Sequence, residues 1–341
     1  MKISSYNYRL PVSLIAKVPP NIRGESRLLV LSRKSGKIID RKYADISDYL
    51  YSGDVLVLND TKVIKARIKA KTQSGKIREI VILEKHSFDN DWHRHKILYR
   101  RKLSVGDILS VGDVNIIVDT TQGDGVAIIR SDQDLLKIAE KYGEVPLPPY
   151  MHREATQMDV SRYQTIWADN AGSVAAPTAS LNMTDELLTT LKSKGVKIVY
   201  LTLHVGLGTF LPIRTDEIED HTMHSEYFEI PSGTVQSIQD AKRSGRRVIA
   251  LGTTVARTLE YSHKLLNKFP TNISGEADIF IYPGYKFRII DGLITNYHAP
   301  KSTVLMLTAA FAGWDKLLPA YNHAIAEKYN FFSYGDSMLI L

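Results

Sequence analysis

The chain contains no cysteine, which excludes disulfides, thiolate nucleophiles, iron–sulfur clusters and thiolate zinc sites together. Any chemistry must come from His, Asp, Glu, Lys, Tyr, Ser or Thr. A long apolar run is also lacking, because the stretch from Val304 to Ala312 is too short to span a bilayer. The opening Met1-Lys2-Ile3-Ser4-Ser5-Tyr6 leads into Pro11 without a continuous apolar segment. Neither a signal peptide nor a membrane anchor is therefore expected, and the expected location is the cytoplasm. No internal repeat and no low-complexity tract is visible.

What is present describes a globular protein. Of 341 residues, 44% are hydrophobic and 24% charged, an ordinary composition for a chain that buries a substantial core. The length favours two structural units over one. The net charge of +7 allows a polyanionic partner such as nucleic acid without demonstrating one.

The first 62 residues alternate short apolar runs with turns: Leu28 to Leu31, Ser35-Gly36, Ile38-Ile39, then Val55 to Leu58 after Gly53-Asp54. From Val63 to Arg130 the pattern remains strand-like, with Gly106-Asp107, Gly112-Asp113 and Gly123-Asp124-Gly125 as turns. It reads as a small antiparallel barrel. Asp132 is positioned to cap a short helix that Gly143 ends. The proline-rich Val145 to Tyr150 cannot be regular helix and marks a boundary.

Beyond it strands and helices alternate. The pattern predicts helices over 184–194, 234–243 and 254–266, and strands over 196–203, 248–251, 278–282, 293–297 and 338–341. Two further helices start near Ser302 and Leu317. Nearly continuous apolar strands between helices imply an α/β domain with a mostly parallel sheet. The expected organisation is a discontinuous α/β catalytic domain, 1–62 and 151–341, with a β-barrel domain inserted over 63–150.

Several segments could carry chemistry. Gly252-Thr253-Thr254 follows a strand and opens a helix containing Arg257, a junction where backbone amides can hold a carboxylate or phosphate. An ordinary capped turn explains it equally well. In His204-Val205-Gly206-Leu207-Gly208-Thr209-Phe210, two glycines begin a dinucleotide fingerprint, but Pro212 follows and no third glycine comes. Close backbone approach to a small ligand remains open there. His221 and His224 are three apart near Glu226, a spacing that suits metal only if helical, whereas either imidazole suits acid–base work near neutral pH. The run from Asp291 through Thr295, His298 and Lys301 to Ser302 gathers polar groups at a strand end. Arg94, Lys96, Arg100, Arg101 and Lys102 form the most basic stretch, able to hold phosphates or simply to be a solvated face.

Taken together, the segments GDVLVLNDTKVIKAR, EVPLPPYMHR, GSVAAPTASLNMT, LTLHVGLGTFLPIR, HTMHSE, VIALGTTVARTLE, FIYPGYKFRIIDGLITNYHAPKSTVLMLTAAFAG and FFSYGDSMLIL, in this order, resemble the S-adenosylmethionine:tRNA ribosyltransferase-isomerase family. The resemblance implies an α/β domain with an inserted barrel. It also implies transfer of the ribosyl moiety of S-adenosylmethionine to 7-aminomethyl-7-deazaguanine at the tRNA wobble position, yielding epoxyqueuosine, adenine and methionine. S-adenosylmethionine is then a consumed substrate, with no cofactor and no metal expected. The tRNA carries a G-U-N anticodon, and a monomer is expected. By motif position, the acid and base lie among His204, His221, His224 and His298, with Asp291 as orienter or base. Gly252, Thr253, Thr254 and Arg257 are placed at the methionine carboxylate or a tRNA phosphate, and Tyr282 or Phe210 against a purine. Gly206, Gly208, Thr295 and Lys301 complete the binding set. The chain departs from the family pattern at Asn182, where histidine is usual, at Lys62 and Asn330, where arginine is common, and at Ala299, where leucine is common. An amide at Asn182 cannot act as a base, and these changes define the alternative: a tRNA-binding scaffold without transfer activity.

Overall fold

The computed structural model describes residues 1–86, 91–206, 208, 213, 215–268 and 270–341. Strands β1 (Arg27–Leu31), β2 (Ile38–Lys42), β3 (Val55–Asn59) and β4 (Thr61–Val63) come first. Six strands then close a barrel: β5 (Arg67–Thr72), β6 (Ile77–Ile82), β7 (Arg94–Tyr99), β8 (Ile108–Val111), β9 (Val114–Thr121) and β10 (Val126–Arg130). The remaining strands are β11 (Asn170–Ser173), β12 (Lys197–Leu203), β13 (Glu226–Ile230), β14 (Val248–Leu251), β15 (Ile273–Ala277), β16 (Gly292–Asn296) and β17 (Ser337–Ile340). The helices are α1 (Leu135–Tyr142), α2 (Gln157–Arg162), α3 (Asp185–Ser193), α4 (Ser232–Arg243), α5 (Thr253–Tyr261), α6 (His263–Leu266), α7 (Thr303–Ala312) and α8 (Trp314–Ala326).

The large sheet has the order β15-β13-β12-β3-β14-β16-β17-β1-β2. At its centre β12, β3, β14 and β16 run parallel, while β13 and β17 join antiparallel on either side. Strand alternation separates two cores. On β3, Val55 and Val57 enter one apolar cluster, and Leu56 and Leu58 enter the other. Helices cover both faces, as the apolar strands required. The barrel has its own core, with Ile68, Ile80, Ile97 and Ile116 fully buried.

Four local readings need correction. Asp134, not Asp132, caps α1, its carboxylate accepting from Leu136 and Lys137 N–H at 2.7 and 3.2 Å. The helix expected over 254–266 breaks at Ser262 into α5 and α6. No strand covers 278–282; the strand lies earlier, at β15, as partner to β13. Strand β13 itself was not anticipated, because Glu226 occupies an inward position that normally reads as apolar.

Candidate active site

The parallel strands β14 and β16 end beside each other, and β12 leaves the sheet close by. Their exits line a cleft of about 790 Å³, open to solvent, bordered by Val205, Gly252, Thr253, Thr254, Thr295 and His298. This is the carboxyl edge of the sheet, where α/β folds place ligands. The opposite wall comes from elsewhere in the chain: Tyr150 from the proline-rich segment, Ala176 to Ala179 after β11, and Phe332 and Ser333 before β17. Thr253, Thr254 and Val304 are shared with a second, apolar chamber holding Met223, Phe280 and Leu307. Met223, Arg257 and Thr303 connect that chamber to a third, which contains Glu84, Gly206, Gly208, His221, His224 and Glu226.

Gly252 sets the geometry. Its φ of 103° and ψ of 153° lie in a region that essentially only glycine adopts. Its N–H bonds the Ile294 carbonyl at 2.8 Å, and its carbonyl accepts from Ala256. Among the described residues no side chain caps α5, so the first-turn amides of Thr253 and Thr254 face the cleft with the positive end of the helix dipole. Thr254 Oγ1 is buried without a hydrogen-bond partner among the described residues. A zwitterionic or anionic ligand group fits such a helix start.

The histidines divide. His298 borders the cleft; its Nε2 lies 2.8 Å from Thr295 Oγ1, and its backbone is held by Tyr8 and Tyr321. Burial pushes its pKa down to about 3. His221 and His224 border the third chamber, where His221 packs edge-on against Phe280 at 5.2 Å. Burial, then the neighbouring His224, lowers the His221 pKa. Both lie in irregular backbone before β13, so the helical spacing required for a paired metal ligand is not met. Among the described residues, no three His, Asp or Glu side chains converge as a metal-ligand set.

His204 is not brought to the cleft. It points to the other side of the chain from Val205, bonded through Nδ1 to Thr61 Oγ1 at 2.8 Å and stacked near Tyr227. Burial, followed by Lys85 and His86, lowers its pKa to about 4. Asp291 sits at the opposite end of β16, roughly 16 Å along the strand from Asn296 at ~3.3 Å per residue. There it binds Lys242 Nζ at 2.8 Å and Val248 N–H at 2.8 Å, which orients α4 rather than a substrate. Lys301 is exposed beside α7, and Tyr282 packs on Phe280 at 5.3 Å without bordering a chamber. Phe280, two residues earlier, borders the second chamber. Phe210 lies outside the described residues. Arg257 borders the second and third chambers rather than the cleft and is 8% exposed; it pairs with Glu226 at 2.9 Å and donates to the Ala277 carbonyl at 2.8 Å.

The departures from the family pattern leave the cleft almost untouched. Asn182 is buried and donates to the Gly335 carbonyl at 3.0 Å. Asn330 and Lys62 are exposed. Only Ala299 borders the cleft.

Two histidines held in neutral form, His204 buried and His298 half-buried at the cleft, make stability depend on pH. The unfolded chain protonates them near 6.5 and the folded chain only at about 3 to 4, so protons favour unfolding. Their contribution is complete above pH ~6.5 and falls as pH drops through that window, at up to about 1.4 kcal/mol per unit for each. Urea midpoints measured from pH 7.5 down to 4.5 are expected to fall, with a shallower slope in His204→Gln. Equal slopes in the two proteins would show that His204 is not buried neutral.

A parallel-sheet cleft with a bare helix N-terminus, shared among loops from distant parts of the chain, places the protein among α/β folds that hold a ligand at the carboxyl edge of the sheet. Comparison with known proteins gives the family. A family model described as queuosine biosynthesis protein matches residues 3–340. S-adenosylmethionine:tRNA ribosyltransferase-isomerase of Chlorobium phaeobacteroides is 51% identical over 346 residues, covering all of both chains. The protein of that name from Pelodictyon phaeoclathratiforme is also 51% identical, over 344 residues and all of both chains. The crystal structure of S-adenosylmethionine tRNA ribosyltransferase from Thermotoga maritima is similar with a TM-score of 0.57 and 34% identity, covering 98% of this chain and 99% of that one. The chain belongs to the queuosine biosynthesis protein family.

Proposed function

We infer that the chain is an enzyme of queuosine biosynthesis that transfers and isomerises the ribosyl group of S-adenosylmethionine onto tRNA. The observation that carries this is identity of about one half, without gaps in coverage, to relatives bearing that activity in their names. The acceptor is 7-aminomethyl-7-deazaguanine at the wobble position of a G-U-N anticodon, and the products are epoxyqueuosine, adenine and methionine. S-adenosylmethionine is spent as a substrate and no cofactor takes part. The enzyme works as a monomer in the cytoplasm; among the described residues, no helix is long and apolar enough to cross a membrane.

The cleft supports these roles. The α5 amides receive the methionine carboxylate, and the nucleoside lies along Gly252, Thr295 and His298. The sulfonium makes the adjacent C5′ protons acidic, and one base must remove such a proton while an acid assists departing adenine. His298, held neutral and 2.8 Å from Thr295 Oγ1, hydrogen-bonds the purine rather than serving as the base. The base belongs to the chamber of His221 and His224.

The test is to incubate the protein with S-adenosylmethionine and tRNA bearing the aminomethyl base and to follow free adenine. Release that requires this tRNA, and that persists with a chelator present, is expected. Tight tRNA binding with no adenine formed would instead establish a scaffold.

A further inference from the structure

The third chamber contains a buried carboxylate with no role so far. Glu84 follows β6 and is the barrel's contribution to this wall, facing Gly206, His221 and His224. Its backbone is fixed on both sides: Leu83 N–H bonds the Lys96 carbonyl at 3.0 Å, and Lys85 N–H bonds the Gly172 carbonyl at 2.9 Å. The side chain is 13% exposed. Oε1 lies 3.8 Å from His86 Nε2, whereas Oε2 is buried with no hydrogen-bond partner among the described residues. The approach to Gly206 is so close that a Cβ there would fall 2.4 Å from Oε1; any other residue would displace the carboxylate.

A carboxylate oxygen kept from water without a donor is unfavourable, and the state that relieves it is one in which a ligand supplies the N–H. The neighbouring charges do not supply it. Glu226 accepts from Gly206 N–H at 3.0 Å and pairs with Arg257 at 2.9 Å. His86, held in its charged form by Glu84 and Glu276 together, bonds Glu276 at 3.0 Å and faces Oε1 of Glu84 at 3.8 Å, so it leaves Oε2 unserved. A sulfonium has no N–H to donate, so the cation that fits is an ammonium.

We propose that Glu84 receives the ammonium group of the incoming tRNA base and takes its proton. One N–H bond breaks, one O–H bond forms on Glu84, and the nitrogen retains the electron pair as a neutral amine, the form in which it can act as a nucleophile. The assignment rests on the ribosyl-transfer reading and gives the barrel a direct part in choosing the acceptor.

The experiment compares wild type, Glu84→Gln and Glu84→Asp. Affinity is measured for tRNA carrying the aminomethyl base and for the same tRNA with guanine there, alongside kcat for adenine release and binding of S-adenosylmethionine alone. Wild type is expected to prefer the amine-bearing tRNA by roughly 10- to 100-fold, the scale of a hydrogen bond to a charged group. Glu84→Gln loses this preference and most of kcat yet binds S-adenosylmethionine normally, and Glu84→Asp lies between. A melting transition like the wild type's confirms folding; if Glu84→Gln fails it, Glu84→Asp is read in its place. Retained preference and kcat, or selective loss of S-adenosylmethionine binding in a folded variant, would overturn the assignment. A wild type that releases no adenine would instead overturn the reaction on which it rests.

Discussion

Gly252→Ala lowers kcat/KM for adenine release by about 100-fold, most of it through KM for S-adenosylmethionine. The reason is the backbone, not space. A Cβ at this position would stand 3.5 Å from Thr254 Oγ1 and 3.8 Å from Ala179 Cβ, both ordinary contacts. At φ 103° and ψ 153°, however, an L-residue pays about 1–3 kcal/mol in strain. The peptide relaxes toward negative φ, and the amides of Thr253 and Thr254 rotate with it. Displacement of a positioning group by about 1 Å is enough for a loss near 100-fold. Stability should fall only by the strain itself, so the variant remains folded at assay temperature. Wild-type KM in Gly252→Ala would show that the start of α5 is not where the substrate carboxylate rests.

The junction at Gly252 was legible because its signals are local: an apolar strand, a glycine, then threonines opening a helix. The same is true of β14, β16 and the barrel turns, where each residue's preference agrees with its neighbours. Failures arose where a position depends on the remainder of the fold. Glu226 faces inward on β13 only because Arg257, from α5, neutralises it, and that partner is invisible in a strand pattern. His204 and Val205 are consecutive, so strand geometry sends them to opposite sides, and proximity to a glycine-rich exit could not say which faces the cleft. Asp291 and His298 read as one polar cluster although β16 separates them, with its two ends serving different neighbours. Tyr150, Phe332 and Glu84 had no signal at all. Tyr150 and Phe332 reach the cleft from the proline-rich segment and the C-terminal turn, and Glu84 reaches the third chamber from the barrel; nothing in their local sequence distinguishes them from packing residues.

Glu260→Ala costs about 4 kcal/mol and lowers the melting midpoint by roughly 10 °C, the largest stability effect expected of a single substitution outside the apolar core. Glu260 is fully buried near the end of α5, and four donors converge on its carboxylate. Oε1 accepts from Ile289 and Ile290 N–H at 2.9 and 3.0 Å, and Oε2 accepts from Arg288 N–H at 2.9 Å and Tyr285 Oη at 3.2 Å. These bonds hold the irregular chain that leads from the second chamber into β16. Alanine leaves three backbone amides without their acceptor, each unsatisfied donor being worth about 1–3 kcal/mol before relaxation. Glu260→Gln keeps the shape but turns an NH2 toward amide donors, so its cost should be smaller yet still above about 2 kcal/mol. Hydrogen exchange localises the damage: the Arg288, Ile289 and Ile290 amides should lose protection first, while those of β14 retain it. Because α5 carries this clamp at one end and the cleft at the other, loosening 285–290 also frees Phe280 and Ile281 in the second chamber. KM for S-adenosylmethionine should therefore rise in Glu260→Gln even at temperatures where the protein is fully folded. A loss below about 1 kcal/mol in Glu260→Ala would mean that water replaces the carboxylate and that the segment is not anchored from α5.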